Sequence, residues 1–148
     1  ILTDLKCPFI INQNSYNIFN RTIEQNGLKK AARECQKGII SFSPLAQGML
    51  TDRYLNGIPD DSRIKTDGRF LNQEKLTPHI GQIKKLNDIK RGETLAQMAL
   101  KWVVKDDDVT SVLVGASKPQ QILENLKVME GTGFSEEELK MIDEIVGV

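Results

Sequence analysis

The chain has 148 residues, among them 20 lysines and arginines and 20 aspartates and glutamates, so its formal net charge is zero. This balance gives no general electrostatic field for nucleic acid or for an anionic membrane. No apolar run is long enough to span a bilayer and no secretory leader opens the sequence, so we expect a single-domain, soluble, cytoplasmic protein.

The first half of the sequence predicts two buried strands with a helix between them. Residues 1–6 resemble the tail of a helix, and the apolar run that follows predicts a strand over 8–13. Apolar residues at helical spacing predict a helix over 24–37, with Gly38 as its left-handed stop. The second strand is expected over 39–43.

The second half predicts four helices and one strand. A polar segment over roughly 47–76 comes first, and its length is typical of a functional or mobile loop. The helices are expected to begin at Thr77-Pro78, Thr94, Pro119 and Ser135. The helix after Thr94 has its predicted buried stripe at Leu95, Met98, Ala99, Trp102 and Val103. A strand over 111–115 separates the second helix from the third.

The alternation of strands and helices indicates an α/β fold with a parallel sheet, because parallel neighbours need crossover helices. Only about three strands are predicted, whereas a closed (β/α) barrel needs eight strands and about 250 residues. The chain is therefore either a fragment of such a barrel or pairs with something that supplies the missing strands.

Two apolar runs end abruptly in small and polar residues, over 38–48 and over 111–117. Small residues just past a strand let backbone N–H groups approach a ligand, and phosphate is the usual one. Gln13, Ser43 and Ser117 fall at the predicted carboxyl ends of the three strands, the edge at which α/β proteins bind ligands. The alternative is that these residues are polar only because strands end at the surface.

Three cationic side chains and one aromatic side chain near these ends each have two interpretations. Lys118 precedes a helix N-terminus, which favours an anion, but it is equally well explained as a solvated lysine. Arg53 and Arg63 could clamp phosphate or serve solubility. Phe42 could stack on a ligand, although an aromatic side chain at a strand end more often belongs to the core.

Other reactive residues give weaker signals. His79 is the single histidine and has no acidic or thiol partner in sequence, so we expect no catalytic role for it. The acidic run 106–108 lacks the spacing of a calcium loop and predicts a solvated turn. Cys7 and Cys35 fit neither a zinc knuckle nor a redox pair, and we expect both to be small buried thiols. The sequence therefore predicts no metal site.

Three motifs together resemble the aldo-keto reductase superfamily, and most closely its bacterial glyceraldehyde 3-phosphate-type reductases and potassium-channel beta subunits. They are Gln13-Asn-Ser-Tyr-Asn-Ile-Phe-Asn-Arg21, Phe42-Ser-Pro-Leu-Ala-Gln-Gly-Met-Leu50 and Val114-Gly-Ala-Ser-Lys-Pro-Gln-Gln-Ile-Leu-Glu-Asn125. The resemblance implies a (β/α)8 TIM barrel, of which residues 1–148 would be one incomplete domain, the C-terminal portion with about strands six to eight and their helices.

The resemblance also implies an NADP site. Gln13 would hydrogen-bond the nicotinamide carboxamide, and Phe42 would stack on the nicotinamide ring. The pyrophosphate would be wrapped by Ser43, Pro44, Leu45, Ala46, Gln47 and Gly48. The adenosine and its 2′-phosphate, which distinguishes NADP from NAD, would be held by Gly115, Ser117, Lys118, Gln121, Glu124 and Asn125.

Two further residues would reach this cofactor from the long polar segment. Arg53 stands where some relatives have a lysine, and Arg63 matches an arginine that contacts the cofactor. Asp61 departs from the pattern, since the channel subunits have an aromatic residue there, which puts contacts from that part of the segment in doubt.

The catalytic Asp-Tyr-Lys-His group of the family would lie upstream of Ile1, so the resemblance assigns no catalytic residue to this chain. Tyr16 and Tyr54 belong to other motifs and are poor substitutes. We therefore expect a reductase of small aldehydes or ketones that is truncated and inactive alone. The alternatives are a non-catalytic NADP-binding or regulatory interaction module and, third, an inactive pseudogene product. A homo-oligomer is possible, and neither nucleic acid nor membrane is an expected partner.

Overall fold

A three-stranded parallel sheet organises the chain in the computed structural model, which describes residues 9–148 apart from the side chain of Arg63. The strands are β1 (Ile11–Ser15), β2 (Gly38–Phe42) and β3 (Ser111–Val112), in the spatial order β1-β2-β3. Gln13 lies opposite Ile40, and Ile40 lies opposite Ser111. The prediction of three adjacent parallel strands is confirmed, but β3 ends at Val112 and not at residue 115, so Ser117 lies five residues beyond the strand.

Helices and short turns connect these strands. The α-helices are α1 (Thr22–Gln25), α2 (Leu28–Glu34), α3 (Arg63–Thr66), α4 (Gln73–Leu76), α5 (Ile80–Ile89), α6 (Leu95–Val103), α7 (Pro119–Leu126) and α8 (Glu136–Val146). Single 3-10 turns lie at Ala46–Gly48, Asp52–Tyr54, Thr77–His79 and Lys127–Glu130. The long polar segment therefore contains short helices and is not one continuous loop.

The core lies between one face of the sheet and the helices. In β2, Ile39 and Ser41 are fully buried whereas Phe42 is 39% exposed. Successive side chains of a strand point to opposite faces, so Phe42 lies on the face that the helices leave uncovered. Gln13 of β1 is also exposed. The predicted buried stripe of α6 is confirmed, since all of its residues are buried: Leu95, Met98, Ala99, Trp102 and Val103.

Three of the expected helix starts are confirmed. Thr94 accepts a hydrogen bond from the Gln97 backbone, and the Gln97 side chain accepts one from Thr94 N–H, which closes a capping box at α6. Ser135 and Glu138 form the same arrangement at α8. Pro119 occupies the first position of α7.

The expected start at Thr77-Pro78 is wrong by one turn. The helical segment begins with α4, which Asn72 caps by accepting a hydrogen bond of 3.0 Å from the backbone N–H of Lys75. The Thr77 hydroxyl donates to the Gln73 carbonyl at 2.7 Å, so it bonds back into the preceding turn and does not cap a new helix.

The first strand is shifted along the chain relative to its prediction. β1 begins at Ile11 and ends at Ser15, so Gln13 lies in its middle and not at its carboxyl end. Backbone pairing with β2 fixes this strand regardless of side-chain polarity, and it continues through a hydrogen bond from Tyr16 N–H to Phe42 O. The predicted helical tail over 1–6 lies outside the described residues.

The helix expected over 24–37 is two short helices. Gly27 has a φ of 78° and separates α1 from α2, and Gln36, with a φ of 52°, supplies the left-handed turn that follows α2. Gly38 is instead the first residue of β2, where an added Cβ would lie 2.9 Å from Thr110 Oγ1. The glycine is therefore needed for close packing of strands and not as a helix stop.

The expected burial of the cysteines is wrong where the structure describes it. Cys35 is exposed, because it follows the last turn of α2 at the surface. Cys7 lies outside the described residues.

Candidate functional site

A cleft of about 780 Å³ opens at the carboxyl edge of β2 and β3. Its walls come from the segment after β2, from the long polar segment and from the segment between β3 and α7. The lining residues singled out from the sequence are Ser43, Pro44, Leu45, Gln47, Gly48, Arg53, Gly115, Ser117 and Gln121. Thr51, Tyr54, Asp61, Leu113, Val114 and Ala116 complete the lining. The cleft thus brings together the two segments whose composition suggested phosphate binding.

The segment after β2 turns through left-handed residues. Ser43, Ala46 and Gln47 have φ values of 54°, 47° and 61°, and Gly48 follows at 96°. Such conformations cost of order 1–3 kcal/mol at non-glycine residues and cluster at ligand sites. Among the described residues, no protein acceptor bonds the backbone N–H of Ser43 or Leu45. The turn therefore has two amide donors available to an anion.

A buried asparagine holds this turn in place. Asn17 is 4% exposed, and its amide donates to the Ser43 carbonyl at 2.9 Å. Its side-chain oxygen accepts from the N–H groups of Phe19 and Asn20, at 3.0 and 2.9 Å. Sequence reasoning missed this role, although Asn17 belongs to the first recognised motif. Asparagine is the residue type that bonds nearby backbone in tight turns, which is the signal that could have revealed it.

The opposite wall is the entry to α7. The Gln121 side-chain oxygen accepts from Ser117 N–H at 2.8 Å, from the Ser117 hydroxyl at 3.2 Å and from Lys118 N–H at 3.2 Å. Three donors therefore already point at one oxygen atom beside a helix N-terminus, where the helix dipole favours negative charge. An anion bound here would take the place of the Gln121 oxygen.

Arg53 is tied to Asp61 across the polar segment. Its guanidinium lies 2.7 Å from the Asp61 carboxylate and also donates to the Asp61 carbonyl at 2.8 Å. Because both residues line the cleft, the positive charge of Arg53 is opposed locally by Asp61. The predicted role of Arg63 concerns a side chain outside the described part of the structure.

Several residues proposed from the resemblance lie outside the lining of the cleft. Gln13 is in the middle of β1, and Phe42 is exposed at the end of β2. Ala46 belongs to the left-handed turn, but its side chain is buried. Lys118, Glu124 and Asn125 lie at the start and on the body of α7.

A buried polar cluster lies on the covered side of the sheet, away from the cleft. The Tyr16 hydroxyl donates to Glu24, and the Lys105 ammonium donates to Tyr16 at 2.6 Å and to Glu24 at 3.1 Å. Lys29 lies 2.6 Å from Asp106 and 3.4 Å from the Tyr16 oxygen. The acidic run is therefore more than the solvated turn that the sequence predicts.

Burial and the hydrogen bond to Glu24 raise the pKa of the Tyr16 hydroxyl. Burial acts to raise the pKa of Glu24, but the hydrogen bond from Tyr16 and the charge of Lys105 hold that pKa below its usual range. Burial lowers the pKa of Lys105. Tyr16 is consequently a neutral structural donor that is fully buried, and it is placed to join the first two strands to the end of α6.

The depressed pKa of Glu24 predicts a pH dependence of stability. The carboxylate stabilises the fold above its unfolded pKa of about 4.5, and this contribution is lost as the pH falls through the lower, folded pKa. We expect Glu24→Gln to lose less stability than the parent chain between about pH 5 and about pH 3. The midpoints of urea unfolding, measured across this pH range, give the stability of each variant. Glu34→Gln, at an exposed position, serves as the control. Parallel pH profiles for Glu24→Gln and the parent would contradict the assignment.

His79 has contacts on two sides within the fold. The His79 ring stacks on Phe19 at 4.3 Å and its Nδ1 pairs with Gln82 at 2.7 Å. Within the described part of the chain, no group of three or more His, Cys, Asp or Glu residues could hold a metal ion. Over the same residues, no helix combines the length and apolar character needed to cross a membrane.

Comparison with known proteins identifies a family for this architecture. The Aldo/keto reductase family matches residues 1–147. L-glyceraldehyde 3-phosphate reductase of Escherichia coli O157:H7 is 45% identical over 97% of this chain and 43% of its own length. A protein of Schizosaccharomyces pombe described as a voltage-gated potassium channel beta subunit is 35% identical over 93% of the chain and 42% of its own length. The chain thus spans less than half the length of these relatives.

Solved structures agree on the fold. The glycerol dehydrogenase of Gluconobacter oxydans has a TM-score of 0.73 and 25% identity, covering 93% of this chain and 42% of its own. An aldo-keto reductase of Bacillus halodurans in its holo form has a TM-score of 0.69 and 21% identity, covering 97% of this chain and 45% of its own. The parallel sheet and its helices therefore match part of a larger known fold.

Proposed function

The chain belongs to the aldo/keto reductase family, and we propose that it forms the C-terminal, cofactor-holding portion of an NADP-dependent reductase. The proposed reaction is hydride transfer to the carbonyl carbon of a small aldehyde or ketone, which yields an alcohol. The observation that carries the proposal is the cleft at the carboxyl edge of the sheet, which joins the left-handed turn at Ser43–Gly48 to the start of α7.

The residues present fit a dinucleotide. The free N–H groups of Ser43 and Leu45 suit a diphosphate, because unpaired amides in a left-handed turn form an anion-binding concavity. At the other wall, the hydroxyl of Ser117 and the N-terminus of α7 suit a second phosphate. Lys118 immediately precedes this helix and adds a positive charge.

Bound NADPH supplies the hydride, and the protein supplies its position. Phe42 presents an exposed ring at the end of β2, on the uncovered face and next to the diphosphate turn, where it would stack on the nicotinamide. Asn17 would keep Ser43 in its left-handed conformation through the bond to the Ser43 carbonyl. Gln13, on the same uncovered face, would orient the carboxamide group.

The preference between cofactors tests this assignment. NADPH differs from NADH only in the 2′-phosphate, which would meet the Ser117 hydroxyl and the Lys118 ammonium. Because hydrogen bonds to charged groups contribute about 1.5–3 kcal/mol each, the double variant Ser117→Ala with Lys118→Ala should lose about tenfold or more of the discrimination for NADPH. The loss should shrink as salt is added.

The measurement is a fluorescence titration of NADPH and NADH on a chimera, in which this sequence replaces the matched part of the Escherichia coli reductase. Lys127→Ala at the far end of α7 removes an exposed lysine and serves as the control, with discrimination unchanged. Equal affinities for the two nucleotides in the unmutated chimera would mean that Ser117 and Lys118 do not bind a 2′-phosphate.

A further inference from the structure

Two asparagines of this chain are followed by glycine, in the pairs Asn26-Gly27 and Asn56-Gly57. In such a pair the backbone nitrogen of the glycine can attack the asparagine side-chain amide, because glycine has no Cβ to obstruct the ring that forms. All four residues are exposed. Exposure therefore does not distinguish the two pairs, and the difference between them lies in their hydrogen bonds.

The first pair is held at the junction of two helices. Asn26 follows the last residue of α1, and Gly27 precedes the first residue of α2. The Asn26 side-chain oxygen accepts a hydrogen bond from the backbone N–H of Leu28 at 3.0 Å. The Gly27 N–H donates to the Glu24 carbonyl at 3.3 Å. Both reacting groups are thus engaged, so attack at Asn26 requires local opening of this junction.

The second pair has neither restraint. Asn56 and Gly57 lie after the 3-10 turn Asp52–Tyr54 and outside any helix or strand. Within the part of the chain that the structure describes, no hydrogen bond engages the Asn56 side chain or the Gly57 N–H. A Cβ added to Gly57 would meet no atom within 4 Å. Attack at Asn56 therefore breaks no hydrogen bond and meets open space.

We propose that Asn56 is a site of spontaneous deamidation. The Gly57 nitrogen forms a bond to Cγ of Asn56, the bond from Cγ to Nδ2 breaks, and ammonia leaves with the former amide proton of Gly57. Water then adds to one of the two carbonyl groups of the resulting cyclic imide, its hydroxyl to the carbon and its proton to the nitrogen. Opening at Cγ gives aspartate, and opening at the backbone carbonyl gives isoaspartate. Neither step oxidises or reduces any atom.

The product would change the charge and the backbone of a segment beside the cleft. Asn56 and Gly57 line a separate cavity of about 470 Å³ together with Lys84. Over the described residues, no carboxylate pairs with the Lys84 ammonium, and deamidation would place one in the same cavity. The isoaspartate form would also add a methylene group to the backbone two residues after Tyr54. Because Tyr54 lines both this cavity and the cleft, the modified segment adjoins the proposed nucleotide site.

The test follows both asparagines in the chimera described above, incubated at mildly alkaline pH in heavy-oxygen water. This water labels only the side chains that react during the incubation. Peptides are then prepared in ordinary water, and mass spectrometry with electron-transfer fragmentation distinguishes aspartate from isoaspartate. Asn56 should react about tenfold or more faster than Asn26, because two hydrogen bonds must break at Asn26. In urea the two rates should agree within about threefold, since unfolding removes the protection of Asn26.

Asn56→Gln is the matched control. It keeps the amide but lengthens the side chain, which disfavours ring closure, so labelling at this position should disappear while the rate at Asn26 stays unchanged. The isolated chain should show the same ratio of rates as the chimera, because the hydrogen bonds of Asn26 and Gly27 are local, which covers a chimera that folds poorly. The proposal is overturned if Asn26 reacts as fast as Asn56 in the folded protein, or if Asn56 reacts about tenfold more slowly there than in urea.

Discussion

The chain alone is expected to show no carbonyl-dependent oxidation of NADPH above background. Reduction of a carbonyl needs a proton donor beside the hydride donor, and a positioned general acid contributes about 10²–10⁴-fold to such a rate. The family resemblance places the Asp-Tyr-Lys-His group on strands that this sequence does not include. If the cofactor binds without that group, no general acid is present to protonate the carbonyl oxygen of the substrate as the hydride is transferred.

The described residues support this expectation. Tyr16 is fully buried on the covered side of the sheet, donates to Glu24 and has a raised pKa, so it reaches no substrate in the cleft. His79 is stacked on Phe19 and bonded to Gln82. Tyr54 lines the cleft but is 3% exposed, which keeps most of its side chain in the core.

The measurement is the absorbance of NADPH with L-glyceraldehyde 3-phosphate as the carbonyl compound and homogeneous 148-residue protein. The intact Escherichia coli reductase is the positive control. Steady turnover by the isolated chain would contradict the prediction, and loss of that turnover in Tyr54→Phe would identify Tyr54 as an unexpected proton donor.

The chimera separates the enzyme from the regulatory alternative. Relatives of this chain include both a reductase and a protein described as a channel beta subunit, and the proposed nucleotide site is compatible with either role. Turnover by the chimera at a rate near that of the Escherichia coli reductase favours the enzyme. Tight NADPH binding without turnover favours a module that senses or stores the nucleotide.

The order and direction of the strands could be predicted from the sequence because their signals are local and strong. The apolar run before Ser43 and the run before Gly115 have no helical periodicity, and helices with clear caps separate them. The buried stripe of α6 follows from its periodicity, and its start follows from Thr94. Each of these features depends on neighbours in sequence.

The boundaries that failed depend on partners distant in sequence. The polar residues of β1 form a strand because β2 pairs with their backbone, which their side chains do not reveal. Gly38 needs to be a glycine because Thr110 packs against it. The contact of Asn17 with Ser43 and the cluster of Tyr16 with Lys105 likewise join residues that only the fold brings together.

The largest loss of stability is expected from Trp102→Ala. Trp102 is fully buried in α6, its ring centroid lies 5.1 Å from that of Tyr16, and Lys105 and Arg21 lie over its ring at 3.6 and 4.5 Å. The truncation leaves a cavity in the core and removes the cation–π contacts of Lys105 and Arg21 with the indole ring. We expect the free energy of unfolding to fall by about 3–5 kcal/mol.

Circular dichroism during urea unfolding measures this change, since the variant lacks the single tryptophan needed for fluorescence. Met129→Ala, at a side chain that is 79% exposed, should alter stability by less than about 0.5 kcal/mol. Trp102→Phe keeps an aromatic face for Lys105 and fills part of the space, so it should be less destabilised than Trp102→Ala. Equal stability of Trp102→Ala and Met129→Ala would contradict the prediction. The packing of α6 on β1 would then depend on the contacts of Tyr16 and Lys105 and not on the Trp102 ring.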